Sequence, residues 1–469
     1  MSELTARIPD NNVEERKYII SVLFRDFLHT EPPQIEVADT DCTTLLYEDN
    51  KIVFRDHFWN THPEPLSYLD IRNLPKPTFF KSKTYHEAED NPIIYYNIEI
   101  PFVLGNEEYE IPVLYGNDEC KIKHDVLTNT ITCGIDIWAS AFFMLTRWEE
   151  YVNPTRDEHG RFPASASTAL KHNFLHLPVV NLYAELLNEM LRNIGYYPED
   201  DENCNDGNDI LEKTLIPTHD IDILQSNPKW KSIGGDILKR HDLKMAFHRL
   251  FTFRDPLDCY DYLMDKSEHI WTKSIFFFMA ADHREGYSDN YLNTKKFTET
   301  IEKIKKRGHI IGFHAGHGTA DNPERYAEEL QLLRQHTGLD ITFSRQHFLK
   351  FDMPHTFNIL EANGITHDFS LGYSDSEGFR CGTGNSYQVF DFLARKTLNV
   401  REVPLIIMDG TLNHTKHLST TQAEKLFEDY LPNYTPVSIL FHNSSFDNYT
   451  WKGWKKLYNK IIEIPLRIY

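Results

Sequence analysis

The chain has 469 residues, 41% hydrophobic and 25% charged, the balance of a folded protein of two or three domains and not of a disordered one. Its formal net charge of −21 repels phosphate backbones and sets nucleic acid aside as a partner. No apolar run approaches the ~18 residues that cross a bilayer, and no basic-then-apolar leader opens the chain. The six cysteines are scattered without a C-x-x-C pair, so a protein of the reducing cytoplasm with no membrane span is expected.

In chain order, two early segments read as strands, Lys51 to Phe54 and Ile93 to Val103. The second runs through Gly105-Asn106 into Tyr109 to Leu114, which predicts a hairpin. From Ile137 to Tyr151 the residues IWASAFFMLTRWEEY predict a helix that is apolar nearly all round and therefore buried. A second helix is predicted over Val179 to Asn193. The acidic, polar stretch from Pro198 to Asp209 carries no apolar period, which makes it the expected boundary between an α+β domain at 1–210 and a second domain at 211–469.

Beyond that boundary short apolar runs alternate with helical patterns. LIPTHDIDIL, IFFFMA, HIIGFHAGH, ITFSRQHFL, ITHDFSLG, VREVPLIIMDG and VSILFHN are each followed or separated by helical or polar stretches. Such alternation implies βαβ units and a parallel sheet, and the span suits a β/α barrel, closed or nearly so. In such folds chemistry gathers at the C-terminal ends of strands.

Three strand ends carry unusual polar groups. In Thr218-His219-Asp220-Ile221-Asp222 alternation puts both aspartates on one face, pointing into the barrel mouth. Two close carboxylates repel unless a cation lies between them. In Ile311-Gly312-Phe313-His314-Ala315-Gly316-His317, His314 points inward, and His317 follows in a glycine-rich turn able to bend it back. Two neutral imidazoles and one carboxylate are a common ligand set for zinc or a similar divalent ion, with positions left open. In Leu440-Phe441-His442-Asn443, His442 faces inward, where it can act as a general acid near neutral pH. Arg345 and His347 end a fourth strand, and Arg345 can orient a carboxylate.

Asp-x-Asp, a His-rich motif, Arg and Leu-x-His, in that order over Leu215 to Tyr469, resemble the NodB-like polysaccharide deacetylases of carbohydrate esterase family 4. The N-terminal part, with FFMLTRWEEY and the DEHGRF segment at Asp157 to Phe162, looks like the accessory domain of some bacterial relatives. The resemblance implies a distorted (β/α)7 barrel and a hydrolase that removes N- or O-acetyl groups from a sugar, and the expected cytoplasmic location points to a sugar intermediate of surface-polysaccharide metabolism. It implies Asp220 as base, Arg345 as the group that orients it, and His442 as acid. A divalent metal, zinc first, is implied on Asp222, His314 and His317. The two aspartates are adjacent in most of the family but separated here by Ile221. His314 and His317 are three apart instead of four, so His347 stands as the alternative third ligand. The 24 Tyr and 30 Phe permit a carbohydrate substrate. Two other readings stay open: a metal hydrolase of a non-sugar amide on the same barrel, and a non-catalytic protein that binds or assembles glycans.

Overall fold

The computed structural model describes residues 3–81, 93–95, 110–116, 121–197, 210–211, 213–225, 233–234, 237–238, 243–251, 255–281, 291–431, 435–447 and 451–465. The expected boundary at Pro198 to Asp209 lies outside the described residues. The first described strands are β1 (Thr5–Ile8), β2 (Gln34–Val37), β3 (Thr43–Tyr47), β4 (Asn50–Phe54), β5 (Thr78–Lys81), β6 (Ile93–Tyr95), β7 (Glu110–Val113), β8 (Ile122–Asp125) and β9 (Thr130–Cys133). Seven of them form a mixed sheet in the order β2-β1-β3-β4-β9-β8-β6, and β5 pairs antiparallel with β7 apart from it. The expected hairpin is therefore not what the described strands form. β6 pairs with β8, β7 with β5, and the turn at Gly105-Asn106 lies outside the described residues.

Asp136 opens the buried helix Ile137–Thr146 by accepting from Ala139 N at 3.0 Å, the usual role of an N-cap carboxylate. The predicted single helix to Tyr151 breaks at Arg147, which takes a left-handed conformation with φ 53°, and resumes as Trp148–Val152. Charge explains the break. Arg147 is fully buried and turns its guanidinium to Glu149 Oε2 at 3.1 Å, Glu150 Oε1 at 2.9 Å and the Tyr373 hydroxyl at 3.2 Å. The helix Val179–Asn193 forms as its periodicity predicts.

The C-terminal apolar runs become β10 (Leu215–Ile221), β11 (Ile275–Met279), β12 (Ile310–Ala315), β13 (Phe343–Gln346) and β14 (His367–Asp368). They are followed by β15 (Tyr387–Asp391), β16 (Lys396–Glu402), β17 (Leu405–Met408) and β18 (Val437–Leu440). The sheet order is β15-β16-β14-β13-β12-β11-β10-β18-β17, parallel throughout except for β15. Among the described strands none pairs β15 with β17, so the sheet stays open between those two edges. It is nonetheless strongly curled. Three strand spacings of about 4.8 Å separate β13 from β10 along the hydrogen-bonding direction, yet Arg345 on β13 donates to Asp220 and Thr218 on β10 at 2.9 and 2.8 Å. VREVPLIIMDG is two strands, not one, because Pro404 lacks the N–H that would carry the ladder on from β16.

The N-terminal part covers the β15 edge. Tyr387 donates to the Leu145 carbonyl at 2.9 Å and Tyr18 to the Gln388 carbonyl at 2.8 Å. Tyr18 stacks on Phe390 at 4.7 Å, and Phe142 meets the same ring edge-on at 5.7 Å. Three arginines of the C-terminal part find carboxylates in the N-terminal one: Arg380 with Glu150, Arg395 with Glu15 and Arg401 with Asp26. One hydrophobic cluster runs from Leu4 to Ile464 through both.

Candidate active site

β10 carries its polar residues where a curled sheet turns them inward. Thr218 and Asp220 are buried, and Asp222, just past the strand, is partly open. The Arg345 guanidinium lies 4.6 Å above the Phe277 ring, and its Nε donates to the Phe369 carbonyl at 2.9 Å. That fixes the direction in which Nη1 reaches Asp220 Oδ1. Gly312 on β12 makes room for this stack, since a Cβ there would lie 2.5 Å from Phe277 Cδ1 and Cε1.

His314 at the end of β12 shares a hydrogen bond between its Nδ1 and the Arg345 carbonyl at 3.0 Å. A carbonyl only accepts, so Nδ1 carries the proton and the neutral ring offers its Nε2 lone pair to the cleft. That Nε2 lies 3.3 Å from Asp222 Oδ1 and 3.6 Å from Asp220 Oδ2. His347, just after β13, brings its Nε2 to 4.0 Å from the same Asp222 oxygen. One ligand atom each from Asp222, His314 and His347 lies within 4.8 Å of the others. Asp222 Oδ1 is buried and has no hydrogen bond. Tetrahedral ligands about 2.1 Å from one ion sit about 3.4 Å apart, so this carboxylate and two imidazoles suit a divalent cation.

His442 follows β18, and Asp409 follows β17 beside it. His442 Nδ1 lies 2.8 Å from Asp409 Oδ1, and the His442 backbone N–H donates to Asp409 Oδ2 at 2.8 Å. The Ser445 hydroxyl donates to that same oxygen. Burial lowers the His442 pKa, but the carboxylates of Asp409, Asp222 and Asp220 outweigh it and raise it to about 10. For Asp220 burial acts upward, and Arg345, His314 and His442 more than offset it, leaving the carboxyl below its usual value. Asp222 is likewise held low against burial by His314, His442 and His347. For His314 burial acts downward, and Asp220 and Asp222 prevail to raise its pKa. The cleft therefore sets carboxylates held below their usual pKa against the imidazoles of His314 and His442, whose pKa values those carboxylates raise.

Of the residues expected from sequence, Asp220, Asp222, His314 and Arg345 meet directly, and His442 lies within electrostatic reach of both aspartates. His317 is turned elsewhere: its Nε2 lies 3.0 Å from the His159 carbonyl, and the structure puts His347 in the group instead. Asp409 was not singled out in the sequence. Its signal is the Asp-Gly that closes the apolar run PLIIMDG, the same strand-end position that marks Asp220 and His442.

Residues 4–196 match a family of unknown function, DUF7033. No curated protein sequence matches the chain. Among solved structures, a candidate polysaccharide deacetylase from Mycobacterium smegmatis is 14% identical with a TM-score of 0.34, over 54% of this chain and 83% of its own. A carbohydrate esterase family 4 pseudoenzyme from Bacillus anthracis is 9% identical with a TM-score of 0.29, over 54% of this chain and 62% of its own. A polysaccharide deacetylase from Bacillus cereus is 14% identical with a TM-score of 0.24, over 54% of this chain and 86% of its own.

Proposed function

We propose that the protein is a metal-dependent hydrolase that removes an acetyl group, foremost an N-acetyl group, from a sugar. The observation that carries this reading is the convergence of Asp222, His314 and His347 around a buried carboxylate oxygen without a hydrogen bond, with Asp220 beside it. Asp222, His314 and His347 would hold a divalent cation, zinc first, which supplies Lewis acidity toward an acyl oxygen and eases deprotonation of a water.

The remaining steps belong to the chain. Asp220 takes the proton of the attacking water. Arg345 keeps it ionised and aimed, because its two contacts to Asp220 and Thr218 fix both partners. His442, held protonated by Asp409, gives a proton to the departing sugar nitrogen. A base kept ionised and an acid kept protonated, within electrostatic reach of one another, are the pair that amide hydrolysis requires. The order of the motifs, which resembles that of polysaccharide deacetylases, supports a sugar over other amides. The reading takes as its substrate an acetylated sugar of surface-polysaccharide metabolism.

Acetate release from a panel of N-acetylated mono- and oligosaccharides, beside simple linear and cyclic amides, tests the reading. Release from the sugars that stops on chelation and returns with Zn2+ is expected. Turnover of the simple amides alone would favour a non-sugar hydrolase, and no turnover with metal bound would favour a glycan-binding role.

A further inference from the structure

His347 reaches the cleft from a turn that the backbone does not favour. Phe348 and Leu349 both take left-handed conformations, with φ of 61° and 57°. Side chains other than glycine's resist that region, and such residues persist only where their surroundings over-determine them. The surroundings of Phe348 come from the N-terminal part of the chain. The His159 ring stacks flat on the Phe348 ring at 4.9 Å with 9° between planes. The Arg161 guanidinium lies 5.9 Å from the same ring, and its Nη1 donates to the Phe348 carbonyl at 3.4 Å. Phe348 in turn lies 4.3 Å from the ring of His347.

The segment that delivers His159 and Arg161 is a closed turn. The Asp157 carboxylate accepts from His159 N and Arg161 N at 2.9 Å each and from Arg161 Nε at 2.7 Å. Gly160, with φ 76°, lets the chain reverse between them. His317 closes the set from the other side. Its ring meets Phe348 edge-on at 5.7 Å, and its Nε2 lies against the His159 carbonyl. So the histidine expected from sequence to bind metal instead braces the turn that holds another.

We propose that the Asp157–Arg161 turn is a positioning element of the metal site: by clamping Phe348 it sets the direction of His347. The inference rests on the metal reading above and goes beyond it, because it gives the N-terminal part a duty in building the cleft. His159 and Arg161 engage Phe348, which lies against His347, so they act on the site through these two residues. Partners that orient a ligand typically change metal affinity by about 10- to 100-fold when removed.

Full-length wild type, His159→Ala, His159→Phe, Asp157→Asn, His347→Ala and the His159→Ala/His347→Ala double variant would be stripped with chelator. Each would then be titrated with Zn2+ by calorimetry and with Co2+ by its visible absorption. His159→Ala and Asp157→Asn should bind Zn2+ about 10-fold or more weakly and alter the Co2+ spectrum, while His159→Phe, which keeps a flat ring on Phe348, should stay near wild type. In the His347→Ala background His159→Ala should cost nothing further, because coupled residues are not additive. Wild-type affinity and spectrum in both His159→Ala and Asp157→Asn would overturn the inference alone, and so would an equal loss with and without His347. A wild type that takes up neither ion would overturn the metal reading and this inference with it.

Discussion

At the scale of single residues, the site divides its work between carboxylates that look alike in the sequence. Asp220 has Arg345 at 2.9 Å, whereas Asp222 has two imidazoles and an oxygen without a hydrogen bond. Asp220→Asn is nearly isosteric but cannot accept the proton, and it should lower acetate release by about 10²–10⁴-fold in a steady-state assay. The acid side makes a pH prediction. His442 is raised to about 10, so its proton stays on through neutral pH and leaves only as pH climbs through that value. Asp409 is the largest of the influences that raise it, so Asp409→Asn lowers the His442 pKa and should move the alkaline fall of kcat/KM to lower pH. An unmoved alkaline limb would mean that His442 is not the acid. Asp220, Asp222, His314 and His442 were legible because alternation along an apolar strand assigns each to a face. His347 shares a face with Arg345 by alternation, but His317 competed with it for the same role, and the left-handed turn at Phe348 and Leu349 that follows it is announced by no periodicity. Asp409 hid for another reason: it works through His442 and carries no ligand-like spacing of its own.

At the scale of elements, the strand–helix rhythm of the C-terminal half was legible, since each apolar run had nowhere to go but a buried sheet. What escaped was set by tertiary context. Tyr387–Asp391 pairs antiparallel with Lys396–Glu402 across a turn in which Asp391 accepts from Leu393 N and Ala394 N, but only the tertiary fold shows that the helices Val13–Val22 and Ile137–Thr146 cover this edge. The break at Arg147 is likewise invisible in an unbroken apolar period, because it serves partners as far away as Tyr373. Gly312 offers a test of how the elements aim the site. Adding a methyl there forces Phe277 out from beneath Arg345 or crowds the Phe343 carbonyl at 3.2 Å. Gly312→Ala should destabilise by about 1–3 kcal/mol in urea unfolding, as overpacked cores do. It should also lower turnover more than a remote substitution of equal stability cost.

At the scale of the whole molecule, the N-terminal part is fused to the parallel C-terminal sheet by buried charge as well as by apolar packing. Glu150 and Arg380 are both almost fully buried and joined by two hydrogen bonds of 3.0 and 2.6 Å. Removing one member of such a pair leaves an uncompensated buried charge. Glu150→Gln should therefore cost about 3–5 kcal/mol of unfolding free energy, and a loss below about 1 kcal/mol would mean that solvent reaches Arg380. By the same reasoning residues 211–469 expressed alone should be insoluble, with Arg380, Arg395 and Arg401 stripped of their carboxylates and the β15 edge bare. A soluble, cooperatively folding fragment would show instead that the two parts have separate cores. The acidic stretch at Pro198 to Asp209 suggested a linker from composition, but composition cannot reveal that the segments on either side share one hydrophobic cluster. The central claim, that these residues hold a catalytic cation, is tested most directly by the metal content of purified wild type, Asp220→Asn and Asp222→Asn. The account predicts about one equivalent of a divalent metal in wild type and Asp220→Asn and little in Asp222→Asn, since an amide is a poorer ligand than a carboxylate. No metal in the wild type, or the same content in all three, would contradict it.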